Sequence, residues 1–499
     1  LAPDPTPRPD ISVHSAPRRR TAVSVWLGAA AAIAVVSVGV LSTRPVSATV
    51  AVGTLQFTPA KPIPGDTVRV VFRGGLLGTL PRLRLRAELR EDDQDYPEWA
   101  LPKRVVTGLD RRADGSYVGT FVFPKSARYA VFAVEDSTGD AVDANGGRLW
   151  DLLAFDSTRT RPTVEALQQK AHLFYERDRA VSREAARTLA REYPAVPDAR
   201  RLALWYEQEV AGPAGADSVR ALEMPSYRAL DARLRGTATM STALMSGMLS
   251  YAEAMRDSLA MAYWSQRLQA EHQNAPLLSM NRMFSALQAS KTPAERLMRL
   301  QAMWDESEIG RPGVALQGFI VAGQLRDPVA LKTWGERLRR FGPSGYFDSP
   351  VGMSYADYPI LAAQGAAIMR TQLARFGTVS DTTRSIGRTR MQAQTQTGQT
   401  AASRLLALGT ALRSLGETQA AAETLTVATR LVWRGDLYAK LSDIRLAAGD
   451  TAGAARAAAF ALSDPSLPKS RRFALQNQFA EQTAYCFRFL VAVVRWFAD

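Results

Sequence analysis

The chain has 499 residues, 46% of them hydrophobic, with 62 Lys and Arg against 48 Asp and Glu for a formal net charge of +14. This globular balance argues against collagen-like, wholly disordered and polytopic membrane chains, and the length suits two to four domains. One cysteine, Cys486, and three histidines, His14, His172 and His272, exclude an intramolecular disulfide, a Cys-rich zinc site, a CxxC redox pair and a CxxCH haem attachment. The positive surplus permits contact with anionic lipid, an acidic protein or nucleic acid without choosing among them.

Residues 1–20 hold five prolines and almost no apolar clusters, and are expected to be a disordered tail. Residues 22–41 then run without a charge, behind Arg18, Arg19 and Arg20 and ahead of Arg44. At ~1.5 Å rise per residue, a helix of that length crosses a hydrocarbon core of ~30 Å. The predicted transmembrane helix occupies 21–43, with Trp26 as an interfacial anchor and Gly28, Ala32, Val36 and Leu41 along the span. The arginine triplet keeps the tail cytoplasmic and sends the body across the membrane. Small residues between Gly28 and Ala32 would let another membrane helix approach closely. A cleaved signal peptide competes with this reading, because Val46, Ser47 and Ala48 resemble a cleavage site. The apolar run is longer than the ~7–15 residues of signals.

Between 49 and 156 the period becomes two. Val68, Val70 and Phe72 alternate with Arg69, Val71 and Arg73, and Leu83, Leu85, Ala87 and Leu89 alternate with Arg84, Arg86 and Glu88. Turn residues (Pro64, Gly65, Asp66; Asp114, Gly115; Pro124) separate these runs from further strands over 117–123 and 129–134, the pattern of an antiparallel all-β sandwich. The pattern resembles the immunoglobulin-like modules of bacterial exported proteins, without the cysteine pair of antibody domains. That resemblance implies a spacer or docking module rather than an enzyme. Arg82, Arg84, Arg86 and Arg90 are expected on a solvated strand face, or against lipid headgroups or acidic subunits. Two acidic clusters, Asp92, Asp93, Asp95 and Glu98, then Asp136, Asp140, Asp143 and Asn145, lack the ligand spacing of an EF-hand and are expected to be turn residues.

From residue 163 the pattern is helical, and 163–376 is expected to be an α-helical repeat array. Helical pairs are predicted over 173–193, 245–272, 277–304 and 314–341. Residues 377–400, rich in Thr, Gln, Ser and Gly, are predicted to be a linker or long loop. Two units over 401–465 carry the strongest periodicity, Gly416 and Gly449 lying 33 residues apart. Leu408, Gly409, Ala421, Leu425 and Ala428 sit where two antiparallel helices interlock, and Leu441, Ala454 and Ala461 repeat them. Glycine at 416 and 449 accepts a left-handed cap at the end of the first helix of each pair. These units resemble tetratricopeptide repeats, whose period is ~34 residues. They lack the early Trp and the usual Tyr, and the second has Ser442 in place of Gly and Arg445 at a packing position. The resemblance implies a solenoid of five to seven helical pairs; a non-repeating bundle is the alternative. Aromatic and Met residues such as Trp205, Tyr206, Met248, Trp264, Met283 and Trp304 are expected in its core, with a concave partner groove as the alternative.

In 466–499 the apolar stretch 485–497 contains Phe487, Arg488, Arg495, Trp496 and Phe497. It is too short and charged to span a membrane, and reads as a cap on the last repeat, an interfacial helix, or the start of a further domain. No phosphate loop, nucleophile elbow or metal motif is present. Ser466 and Lys469 match SxxK only on paper, because Pro465 and Pro468 interrupt the turn. No catalytic, cofactor-binding or metal-binding residue is assigned, and no nucleic-acid partner is expected.

The expectation is a multidomain protein of the bacterial inner membrane: one N-terminal transmembrane helix, an Ig-like sandwich and a helical solenoid on the periplasmic side. Its function would be that of a non-enzymatic scaffold or accessory subunit of an integral membrane complex, with energy-transducing photosynthetic or respiratory assemblies as candidates. The alternatives are a peptide receptor using the repeat groove, or the non-catalytic part of an envelope redox enzyme truncated at its C-terminus.

Overall fold

The computed structural model describes residues 52–91, 102–342, 345–376 and 384–478. Outside the described residues lie the expected membrane segment with Trp26, Gly28, Ala32, Val36 and Leu41, and the triplet Arg18, Arg19 and Arg20. So do the first acidic cluster and the C-terminal stretch with Phe487, Arg488, Arg495, Trp496 and Phe497. Among the described residues no helix is long and apolar enough to cross a membrane.

Eight strands come first: β1 (Thr54–Thr58), β2 (Thr67–Arg73), β3 (Leu83–Glu91), β4 (Lys103–Arg111), β5 (Tyr117–Val122), β6 (Ala127–Asp136), β7 (Val142–Asp143) and β8 (Trp150–Leu153). All pairings are antiparallel, in the order β1-β2-β5-β4-β3-β6-β7, with β8 also on β6. Strand β4 pairs with β3 from Lys103 to Leu109, but with β5 only at Asp110 and Arg111. The sheet therefore turns at the end of β4 and its halves face each other. Phe132 of β6 lies 4.8 Å from Phe57 of β1 and 5.3 Å from Phe121 of β5 between ring centroids. The inward residues of β2 and β3 predicted from alternation all lie in this buried core.

The polar face of β3 differs from expectation. Arg86 and Glu88 are buried, and Arg84 and Arg90 are half-buried; of the four arginines only Arg82 is exposed. The outer face of β6 is covered as well, with Tyr129, Val131 and Ala133 packed against Phe174 and Ile386 from the helical region. Alternation distinguishes the two faces of a strand. It does not reveal that a second element covers the polar one.

The helices follow in order: α1 (Val164–Phe174), α2 (Arg179–Glu192), α3 (Pro197–Arg235), α4 (Thr242–Met255), α5 (Ser258–Glu271), α6 (Pro276–Ala289), α7 (Pro293–Glu306) and α8 (Arg311–Leu325). Then come α9 (Pro328–Leu338), α10 (Asp348–Ala356), α11 (Ala362–Phe376), α12 (Arg390–Ser414), α13 (Thr418–Leu431), α14 (Gly435–Ala447), α15 (Thr451–Leu462) and α16 (Lys469–Gln478). Successive helices pack on one another, so the region is a helical repeat array. Helix α3 is broken at Gly212, whose φ of 67° only glycine adopts without strain, and Pro213 opens its second segment. The stretch expected to be a linker, 377–400, is helical from Arg390 onward. There Thr389 and Gln392 form a capping box and start a 25-residue helix. Its Thr hydroxyls bond back to carbonyls one turn earlier, as Thr395 does to Met391, so a Thr-rich composition is compatible with helix.

Several interfaces between early helices share one device, an aromatic donor bonded to a carboxylate on a neighbouring helix. The Tyr251 hydroxyl donates to Glu223 at 2.5 Å, Tyr227 to Asp257 at 3.2 Å, and Trp264 Nε1 to Asp231 at 2.7 Å. Burial and the nearby carboxylates push the Tyr251 and Tyr227 hydroxyls well above the usual tyrosine range, so they remain donors at any ordinary pH. Trp205 and Met280 are half-buried, while Tyr206, Met248, Trp264, Met283 and Trp304 are buried in the core.

Candidate protein-binding surface

The two units over 401–465 are helical hairpins in the 33-residue register read from the sequence. In the first, α12 ends at a left-handed Gly416 (φ 82°), and the Glu417 amide donates to Leu412 O at 2.9 Å. In the second, α14 ends at Gly449 (φ 82°), and the Asp450 amide donates to Arg445 O at 2.9 Å. Leu408, Ala421, Leu425, Ala428, Leu441, Ala454 and Ala461 are all buried between helices.

The two departures from the repeat pattern have local causes. A Cβ on Gly409 would lie 2.9 Å from Leu425 Cγ, so this close crossing excludes a side chain. Thirty-three residues later, Ser442 fits because Ala458 stands where Leu425 did, and its hydroxyl donates to Ala454 O at 2.9 Å. Arg445 replaces the buried Leu412 and reaches out of the core. It donates to Gly453 O at 3.3 Å and to Thr426 Oγ1 on α13 at 3.2 Å, tying one hairpin to the next.

Beside Arg445 lies an open depression of 340 Å³, lined by Gln419, Glu423, Thr426, Val427, Arg430 and Asp450 among others. A second depression, of 460 Å³, lies between the ends of α3 and α5. There Arg235 stacks over Tyr263 at 4.0 Å, and Arg267 Nη2 donates to Thr237 O at 2.6 Å and Ala238 O at 3.2 Å. Both depressions present charged and amide groups with an apolar edge. That chemistry suits hydrogen bonding to a protein surface or an extended peptide, and includes no paired nucleophile and base.

Several of the polar residues noted in the sequence are engaged in local structure. His272 Nε2 lies 3.0 Å from Met240 O, and His172 is exposed on α1. The Ser466 hydroxyl donates to Asp464 at 2.7 Å. Asp136 accepts the amides of Gly139 and Asp140, and Asp143 those of Gly53 and Asn145, so both carboxylates are engaged in turns. Among the described residues no three His, Cys, Asp or Glu side chains are grouped to hold a metal ion.

Sequence reasoning missed the recurrence of the hairpin turn upstream. Arg256 (φ 60°) between α4 and α5, and Arg326 (φ 54°) between α8 and α9, occupy the left-handed position that Gly416 and Gly449 fill later. Each precedes an aspartate, Asp257 or Asp327, that caps the next helix. The Arg-Asp pair was the available signal, hidden by the absence of glycine.

No family model matches the chain, and no curated protein matches it. Among solved structures, one similar chain comes from the crystal structure of the APC/C hetero-tetramer Cut9-Hcn1. It is 10% identical with a TM-score of 0.29, and the match covers 62% of this chain and 55% of that one. The match thus spans about half of that chain's length. The repeat architecture rests on the register and packing of the hairpins above.

Proposed function

We propose that this protein is a non-enzymatic scaffold, an accessory subunit that binds an integral membrane complex through its helical array. The observation carrying this reading is the run of stacked hairpins. Their mutual faces are filled by packing, while polar depressions lie open on the outside, an architecture suited to extended protein–protein contact. The uncharged run 22–41 behind three arginines supports a single-pass anchor and a periplasmic body. The layering, with β1, β2 and β5 on one side and β4, β3, β6 and β8 on the other, supports reading this module as an immunoglobulin-like spacer.

The test is native electrophoresis of mildly solubilised membranes with mass spectrometry of the band. Comigration with a stoichiometric set of integral subunits is the expected result, respiratory or photosynthetic complexes being the first to look for. Migration alone would overturn it and leave a peptide receptor using the array as the better reading.

A further inference from the structure

Between α11 and α12 the chain returns to the sandwich, more than 200 residues after leaving it. Arg384, almost fully buried, places Nη2 2.7 Å from a carboxylate oxygen of Glu135 on β6, itself buried and also paired with Arg86 at 3.3 Å and Arg84 at 2.9 Å. Arg384 Nη1 also donates to Arg388 O at 3.0 Å, folding the segment on itself. Ile386 is buried with Tyr129, Val131, Leu149 and Phe174. The Arg390 amide donates to Gly139 O at 2.7 Å. Side chains are excluded where this strap lies closest: a Cβ on Gly139 would fall 2.6 Å from the Arg384 guanidinium, and one on Gly387 3.0 Å from Leu149.

We propose that residues 384–389 are a clasp that pins the start of α12 beside α1, closing helices α1–α12 into a circuit, and whose release lets that circuit open. Phe174 belongs to α1 and Ile386 lies four residues before α12, so one cluster joins the first helix to the approach to α12. The clasp is held by one charge cluster, one apolar side chain and a few hydrogen bonds. The sandwich core and the packing around α12 and α13 are separate clusters that do not contain the strap. Release is therefore a transition distinct from unfolding. The inference concerns the shape of the array and does not depend on which partner the scaffold binds.

The test uses the full chain with C486S, carrying spin labels at the exposed positions His172 on α1 and Met391 on α12 (H172C/M391C). The R384Q/I386S pair unfastens the clasp without altering any sandwich residue. The expected result is a longer and broader label distance and at least tenfold faster hydrogen exchange over 385–390, with wild-type protection retained in β2, β5 and α12–α15. A second variant, I386A, removes only the apolar contact and should raise exchange over 385–390 to a rate between those of the wild type and R384Q/I386S. An unchanged distance and exchange after R384Q/I386S would overturn the proposal. So would protection lost throughout β2, β5 and α12–α15.

Discussion

At Gly409 and Ser442 one crossing is solved in two ways, glycine against leucine and serine against alanine. Ser at 409 alone meets Leu425, so G409S should destabilise by ~1–3 kcal/mol through overpacking. L425A alone should cost ~2–5 kcal/mol through the cavity it leaves. The double substitution rebuilds the Ser442–Ala458 pair and should be more stable than the two single losses predict by at least ~1 kcal/mol, a coupling read from urea midpoints. Simple additivity would mean that the crossing is not set by this pair. The left-handed arginines make a second prediction. R256G and R326G should each stabilise by ~0.5–1 kcal/mol by removing Cβ strain. The exposed contact of Arg256 with Asp217, at 3.4 Å, contributes little against this. A falling unfolding midpoint in both variants would contradict the turn assignment.

The helical pairs flanking Asp257 and Asp327 fall close to the predicted spans 245–272 and 314–341 because apolar spacing marks the helices and an aspartate caps the second of each pair. The α3 region was not legible in the same way. No helical pair is predicted there, yet helix runs up to the break at Gly212, restarts at Pro213 and continues through Pro225. Residues 390–400 read as a loop because Thr and Gly are weak helix formers, and tertiary packing overrides them. The polar face of β3 looked solvated because a strand's sequence does not announce a cover contributed by residues 384–389. Between α2 and α3, Glu207 binds Arg183 Nε at 2.9 Å and Arg187 Nε at 2.6 Å. The Arg183 bond, with Arg187 beside it, holds the Glu207 carboxyl at about 2, against an ordinary 4.5. A depressed carboxylate stabilises the fold above its unfolded value, and that contribution disappears as pH falls from 4.5 toward 2. E207Q should therefore destabilise at pH 7 by ~1–2 kcal/mol after solvent screening, with the difference shrinking toward pH 2. Chemical unfolding of both proteins between pH 7 and pH 2 checks this; a difference independent of pH would remove the ion pair from the account.

On the scale of the whole molecule, the expected boundary near residue 156 is a chain feature rather than a physical division. Ala166 of α1 lies in the same buried cluster as Phe72 and Phe132 of the sandwich, and Phe174 covers Tyr129, Val131 and Ala133 on its outer side. Lys170 on α1 also pairs with Asp151 on β8 at 2.8 Å. A fragment of residues 52–156 would expose that apolar face and leave a gap at Ala166. A fragment of residues 52–192 keeps α1, with α2 packed against it, and restores most of the cover, though not Ile386 or Arg384. The expected order of stability is therefore the full chain, then 52–192, then 52–156. The shortest fragment should bind an apolar dye strongly and give a weak near-ultraviolet dichroism signal, while 52–192 should unfold cooperatively. Equal unfolding midpoints and equal dye binding for the two fragments would show that the sandwich is self-sufficient. The helices would then be appended to it rather than built into its outer wall.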